Sequence, residues 1–156
     1  MTSSEAWFVG DRAQNLAIVL LTRFPVSVKR ETNNDRGLDL RAAVDPDKPG
    51  FREFGVEIKG TTRISQLVDQ HHHVHAERIR ASRRLLKDCP FPVAVMVFDV
   101  TTDEGFFGWL LAPVVSGARA GLAEVDPVSV EPATNETIAQ ALSQVRNWYK
   151  AGPWRI

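Results

Sequence analysis

At 156 residues, 44% of them apolar and 24% charged, the chain is long enough for one domain with a core that needs no staple. Its nineteen basic and nineteen acidic residues cancel, so net charge does not point to a polyanionic partner and any basic surface must be local. The single cysteine, Cys89, excludes an intramolecular disulfide and suits a reducing cytoplasm, and no apolar run or basic-apolar leader suggests a membrane or secretion.

In chain order, a polar start ends in Trp7-Phe8-Val9, expected to lie as a lid on a first helix of about residues 10–23. Gly10-Asp11 can open that helix and Pro25 closes it; Ala13, Leu16, Ala17, Leu20 and Leu21 recur at helical spacing as its buried stripe, with Gln14 at the flank. Pro25 to Arg30 alternates and reads as a strand, and Thr32 to Asp35 as a polar turn. An alternating run through Asp39 to Val44 and a second from Arg52 to Gly60 read as two further strands. Asp45-Pro46-Asp47-Lys48-Pro49-Gly50 between them is dense in turn formers, so an antiparallel hairpin is expected.

Period-two geometry puts Glu57 and Lys59 on one face of the second run and Val56 and Ile58 on the other. The hairpin then brings Asp39 beside Glu57, so that two carboxylates and an amine converge. Such a pair suits a hard divalent cation, Mg²⁺ or Mn²⁺, which keeps several waters and needs only one or two carboxylates. Asp, Glu and Lys also stand on solvated strand faces without any such role.

Thr61 and Thr62 follow, as turn residues or as phosphate contacts, and Ser65 is expected to cap a long helix reaching Asp88. That helix would carry His71, His72, His73 and His75, either as a solvated or nucleic-acid-facing surface or, less simply, as part of a metal site, for which partner ligands are lacking. Its second half bears Arg78, Arg80, Arg83, Arg84 and Lys87, opposed only by Glu77, with Ile79, Leu85 and Leu86 buried. This local basic excess suits a phosphate backbone and equally an ordinary solvated helix face. Cys89, before Pro90, reads as an inert, partly buried thiol.

Phe91 to Val100 is almost continuously apolar, as befits a central strand buried on both faces. A turn at Asp103-Glu104-Gly105 leads to a strand at 106–111, residues 117–121 read as a loop, and Pro127 to Pro132 as an edge strand between prolines. Thr134 can cap a last helix whose Ile138, Ala141, Leu142, Val145, Trp148 and Tyr149 form one stripe, to cover the sheet or make a dimer contact. Trp154 in the tail reads as a docking plug.

Asp39, followed eighteen residues later by Glu57-Ile58-Lys59, resembles the Asp…Glu-x-Lys signature of the PD-(D/E)XK nuclease superfamily. The strings Asn34-Asp35-Arg36-Gly37-Leu38-Asp39-Leu40 and Val56-Glu57-Ile58-Lys59-Gly60-Thr61 look most like an uncharacterised bacterial branch of it. The resemblance covers residues 10–112 of a single domain and leaves 113–156 as a C-terminal extension. It implies an α/β fold: a mixed central sheet flanked by helices, with an αβββαβ restriction-endonuclease-like core and a C-terminal helix.

For function the resemblance implies Mg²⁺- or Mn²⁺-dependent hydrolysis of phosphodiester bonds in nucleic acid, DNA first, in foreign-DNA defence or repair. Asp39 and Glu57 would hold the metal and Lys59 would position water or steady the phosphate. Relatives often carry Gly-x-x-x-Glu in the first helix. Here the string is Gly10-Asp11-Arg12-Ala13-Gln14, so Gln14 would be a neutral ligand or a solvated side chain. Arg78, Arg80, Arg83, Arg84, Lys87 and Thr61 would face the nucleic acid. The alternative is a nuclease fold without catalysis, serving as a nucleic-acid-binding or protein-interaction subunit.

Overall fold

Strand β3 (Glu53–Thr61) lies at the heart of the protein, between an antiparallel neighbour, β2 (Leu40–Val44), and a parallel one, β4 (Val93–Asp99). The computed structural model describes residues 2–31 and 38–152. Around β3 the sheet runs β1-β2-β3-β4-β5-β6, where β1 is Val26–Arg30, β5 Glu104–Ser116 and β6 Arg119–Glu124, and a short β7 (Glu131–Pro132) pairs with β5. Helices α1 (Ser3–Leu21), α2 (Ala76–Leu85) and α3 (Asn135–Lys150) complete a mixed α/β fold whose first six main elements follow the order helix, three strands, helix, strand. The parallel β3–β4 pairing needs a crossover, and residues 62–92 with α2 supply it.

The sheet has two distinct faces. On one, Ala13, Ala17 and Leu21 of α1 and Ile138, Ala141, Leu142 and Val145 of α3 pack against Leu40, Ala42, Val56, Ile58, Ala94 and Met96. On the other, Ile79 and Leu86 join Leu38, Leu67, Phe91, Val93, Val95 and Val97. Every residue of β4 is buried, which accounts for its unbroken apolar run. Among the described residues no helix is long and apolar enough to cross a membrane.

Several boundaries differ from the sequence reading, each for a local reason. Helix α1 begins seven residues early, because Thr2 and Glu5 form a capping box: Thr2 N–H donates to Glu5 Oε2 at 2.7 Å, and Glu5 N–H to Thr2 Oγ1 at 3.1 Å. Trp7 and Phe8 are therefore helical and exposed, and only Val9 of the expected lid is buried. The expected helix from Ser65 to Asp88 is only a 3₁₀ turn (Ile64–Gln66) and the ten residues of α2. Asp69 Oδ1 accepts the backbone N–H groups of His71 and His73 at 2.8 and 3.0 Å, which offers this segment a turn in place of a helix. His72 sits at φ 63°, and Val68 bridges Val74, so the histidines lie on a small loop before α2 rather than one helical turn apart.

Strand β5 runs on to Ser116, and the segment read as a loop turns at Gly117 (φ 62°) into β6. Of the expected edge strand at 127–132, only Glu131 and Pro132 pair with β5, and Ser129 bridges His73. Thr134 caps α3 by accepting the Thr137 N–H at 3.1 Å, and α3 covers the sheet. Residues 32–37, with most of the first motif string, and Trp154 lie outside the described residues.

Gly60 lets α1 approach β3. A Cβ there would come within 2.9 Å of both the Val9 carbonyl oxygen and Ala13 Cβ, and backbone cannot move aside as a side-chain tip can. Gly60→Ala is expected to destabilise the protein by about 1–3 kcal/mol, as overpacking does. Gly10→Ala, on the same helix with nothing within 4 Å, should stabilise it by about 0.5–1 kcal/mol. Urea unfolding of both variants checks the contrast; equal effects would contradict it.

Candidate active site

The strand that delivers Asp39 is not regular. Asp39 N–H donates to the Val56 carbonyl at 3.1 Å, although Leu40 is the register partner of Val56, so two residues meet one in the manner of a bulge. The chain changes side here: Leu40 packs with α1 and α3, whereas Leu38 packs with the α2 cluster and closes over Gly55. The Asp39 side chain takes over part of the ladder, with Oδ2 accepting the Ile58 N–H at 2.7 Å. That bond ties Asp39 to the residue between Glu57 and Lys59.

Glu57 stands on the α2 side of β3, opposite Val95 of β4, and is 5% exposed. Its Oε1 lies 3.4 Å from Lys59 Nζ, while Oε2 is buried with no hydrogen-bond partner. Burial, then the nearby Asp39 carboxylate, push the Glu57 carboxyl up to about 8, against the pull of Lys59. The structure thus brings together Asp39, Glu57 and Lys59. A buried carboxylate oxygen without a donor, beside a second carboxylate, is a donor set that fits one hard divalent cation otherwise ligated by water. Among the described residues no group of three or more His, Cys, Asp and Glu side chains could hold a metal ion, so two carboxylates are the whole acidic set.

Gln14 is not part of it. Helix α1 covers the face that carries Val56 and Ile58, and strand alternation puts Glu57 and Lys59 on the opposite face. Gln14 Oε1 instead accepts from Arg30 Nη1, whose Nη2 donates to Asn15 Oδ1 at 2.6 Å. The expected neutral ligand is a clamp between α1 and β1. Sequence spacing placed Gln14 on the helix but carried no information on which side of the sheet that helix packs.

The basic positions divide. Arg80, Arg84 and Lys87 are exposed. Arg78 is exposed too, with Nε donating to the Gln66 carbonyl at 3.3 Å. Arg83 is structural: it donates to Glu124 Oε1 at 3.1 Å and to the Val125 carbonyl at 2.6 Å, which ties α2 to the end of β6. Thr61 is buried, its hydroxyl engaged with the Arg63 backbone and with Gln66 Oε1 at 3.1 Å, and so it makes no free phosphate contact. Gln66, which the sequence did not single out, is held there through Thr61, two residues beyond Lys59 on the same strand face. Cys89 is buried and donates to the Phe91 carbonyl at 3.5 Å.

No family model, curated protein or solved structure matches the chain.

The raised Glu57 has a consequence for stability. Between its ordinary value of 4.5 and about 8, the folded protein holds a proton that the unfolded chain has released. Stability should therefore fall as pH rises through that window. Glu57→Gln keeps the shape and stays neutral at every pH. Its thermal midpoint relative to wild type, without metal, should be higher at pH 8 than at pH 5. A difference independent of pH would mean that Glu57 titrates like a solvated carboxyl.

Proposed function

We propose that the chain is a divalent-metal-dependent nuclease that hydrolyses phosphodiester bonds in DNA. The observation that carries this reading is the buried Glu57, with one oxygen lacking a donor, set between Asp39 and Lys59 on β3. The succession of elements from α1 to β4, together with the Asp39…Glu57-Ile58-Lys59 spacing, supports kinship with the PD-(D/E)XK superfamily.

Asp39 and Glu57 would hold Mg²⁺ or Mn²⁺, which when bound supplies a more acidic water and a counter-charge for the phosphate. The residues themselves have separate tasks. The Ile58 N–H holds Asp39 Oδ2 and so fixes the carboxylate beside Glu57. Glu57 gives up its proton before it can act as a ligand. Lys59 offers an ammonium group 3.4 Å from Glu57, positioned to orient water or to neutralise a phosphate oxygen. Burial of Glu57 strengthens each charge interaction that it makes.

A second reading, a nuclease fold that binds nucleic acid without cleaving it, is favoured by one observation: no third acidic ligand stands with the pair among the described residues. Metal separates the two. In the nuclease reading Mn²⁺ raises the thermal midpoint of wild type, and its affinity increases with pH up to about 8 as Glu57 sheds its proton. Asp39→Asn, Glu57→Gln and Lys59→Ala should each cut Mn²⁺-dependent cleavage of a DNA duplex about a hundredfold or more. Cleavage by wild type that survives all three substitutions would defeat the assignment of these residues. No Mn²⁺ shift and no cleavage, with DNA still retained, would establish the binding module.

Arg80 and Arg84 are exposed on α2, which packs through Ile79 on the same sheet face as the pair, and in this reading they would track a phosphate backbone. Replacing both with Ala should weaken DNA binding whatever the sequence and reduce the salt dependence by about one phosphate contact per arginine. Binding measured from low to moderate salt checks this; an unchanged slope would return them to the solvated surface.

A further inference from the structure

A cavity of about 390 Å³ opens where the turn between β2 and β3 meets the last turns of α3. Its lining is one-sided in charge although the chain as a whole is neutral: Lys48, Arg52, Arg146 and Lys150 stand against a single acid, Asp45, among the described residues. The walls are fastened to each other. Arg146 of α3 binds Asp45 of the turn through Nε and Nη2 at 2.8 and 3.1 Å. Tyr149 donates its hydroxyl to the Glu53 carbonyl, and Arg52 Nη2 donates to the Pro49 carbonyl at 2.6 Å. Asp45 is buried, Arg52, Arg146 and Tyr149 are half-buried, and Lys48 and Lys150 stand exposed beside them.

The charges in this lining do not balance. Asp45 is matched by the two-pronged ion pair with Arg146. That hydrogen bond, and then the charges of Arg146, Lys48 and Arg52, draw the Asp45 carboxyl below its usual range in spite of its burial, so three cations converge on one carboxylate. Lys48, Arg52 and Lys150 are left over, with no ion-pair partner among the described residues. Arg52 Nη1 is buried with no hydrogen-bond partner, and the Pro49 carbonyl that engages Nη2 carries no charge. A buried donor without an acceptor is costly, and gathered like charges repel. An anion in the cavity answers both, because the charge of Arg52 is spread over its whole guanidinium.

The geometry points to a binding site for a phosphoryl group with two or more negative charges, a phosphate monoester or a polyphosphate. A carboxylate or a backbone phosphodiester brings one charge to three unmatched cations. A monoester or polyphosphate brings more, with enough oxygens to accept from both lysines and the guanidinium together. Helix α3 packs on the same face of the sheet as α1, whereas Glu57 and Lys59 point to the other, so this site is separate from the candidate active site and does not rest on the nuclease reading. The phosphoryl group comes either from a free phosphate compound or from the phosphorylated end of a nucleic-acid strand.

The test is thermal melting of the full chain, in chelator, with sodium pyrophosphate against sodium chloride at equal ionic strength. Pyrophosphate should raise the midpoint of wild type, since a ligand that binds only the folded state stabilises it. In calorimetric titration the double variant Lys48→Ala, Lys150→Ala should bind pyrophosphate at least about tenfold more weakly, because each lost bond to a charged group is worth about that factor. Both lysines are exposed, and circular dichroism checks that the variant is folded; if it is not, Lys48→Gln alone takes its place with a loss in the same direction. A second arm compares a DNA dodecamer bearing a 5′-phosphate with the same strand ending in a hydroxyl. A preference for the phosphorylated strand that the variant loses assigns the site to nucleic-acid ends. A pyrophosphate shift without that preference assigns it to a free phosphate compound. Neither a pyrophosphate shift nor a strand preference, or effects that the variant keeps in full, would overturn the inference.

Discussion

One hydrogen bond, from the Ile58 N–H to Asp39 Oδ2, governs how the candidate site is built. In a regular antiparallel pair that donor would meet a backbone carbonyl, and the side chain of Asp39 would be free to turn to water. Here the side chain is drawn into the ladder, and the strand bulges so that Leu38 and Leu40 pack on opposite faces of the sheet. A carboxylate accepting a backbone N–H makes a bond roughly twice as strong as a neutral one. The bulge therefore aims a charge and holds it at the edge of the buried strand.

Glu57 is the uncomfortable partner in this arrangement. Desolvation and a like charge both oppose its ionisation, and Lys59 only partly answers them. Val95 beside it shows what the site would hold if packing alone decided: an apolar side chain would remove both penalties. A polar group kept in an apolar setting, with one oxygen unpartnered, is local energy not explained by the fold's stability. A bound cation would convert that unfavourable proximity into a binding site, because the same two charges then share a counter-ion.

The rest of the molecule keeps that strand rigid and two-sided. Gly60 brings α1 close over Val56 and Ile58, and α3 completes the same apolar face, with Trp148 Nε1 donating to the Gly121 carbonyl at 2.6 Å. Asp45 in the β2–β3 turn is bound by Arg146 of α3 at 2.8 and 3.1 Å, which holds its carboxyl below the usual range and ties the turn to the last helix. With one face sealed in this way, the polar residues of β3 are left to the other, where α2 brings its exposed arginines.

Much of this was legible in the chain itself. Alternation separated Glu57 and Lys59 from Val56 and Ile58, the unbroken apolar run announced β4, and Thr134 with its amphipathic stripe announced α3, because each signal is carried by a side chain and its near neighbours in sequence. The turn formers at 45–50 made the hairpin, and hence the meeting of Asp39 and Glu57, readable across a gap of eighteen residues. What depended on distant contacts was not readable. Gln14 occupies a helix, yet only packing decides that this helix lies on the far side of the sheet and that Arg30 claims the amide. Arg83 looks like its neighbours until β6 folds back to meet it. The helix expected over the histidines gives way because Asp69 captures two backbone N–H groups and His73 bridges the distant Ser129. Local periodicity thus determined which faces exist. The tertiary structure decided which faces meet, since that choice is made by contacts between residues that the sequence keeps far apart.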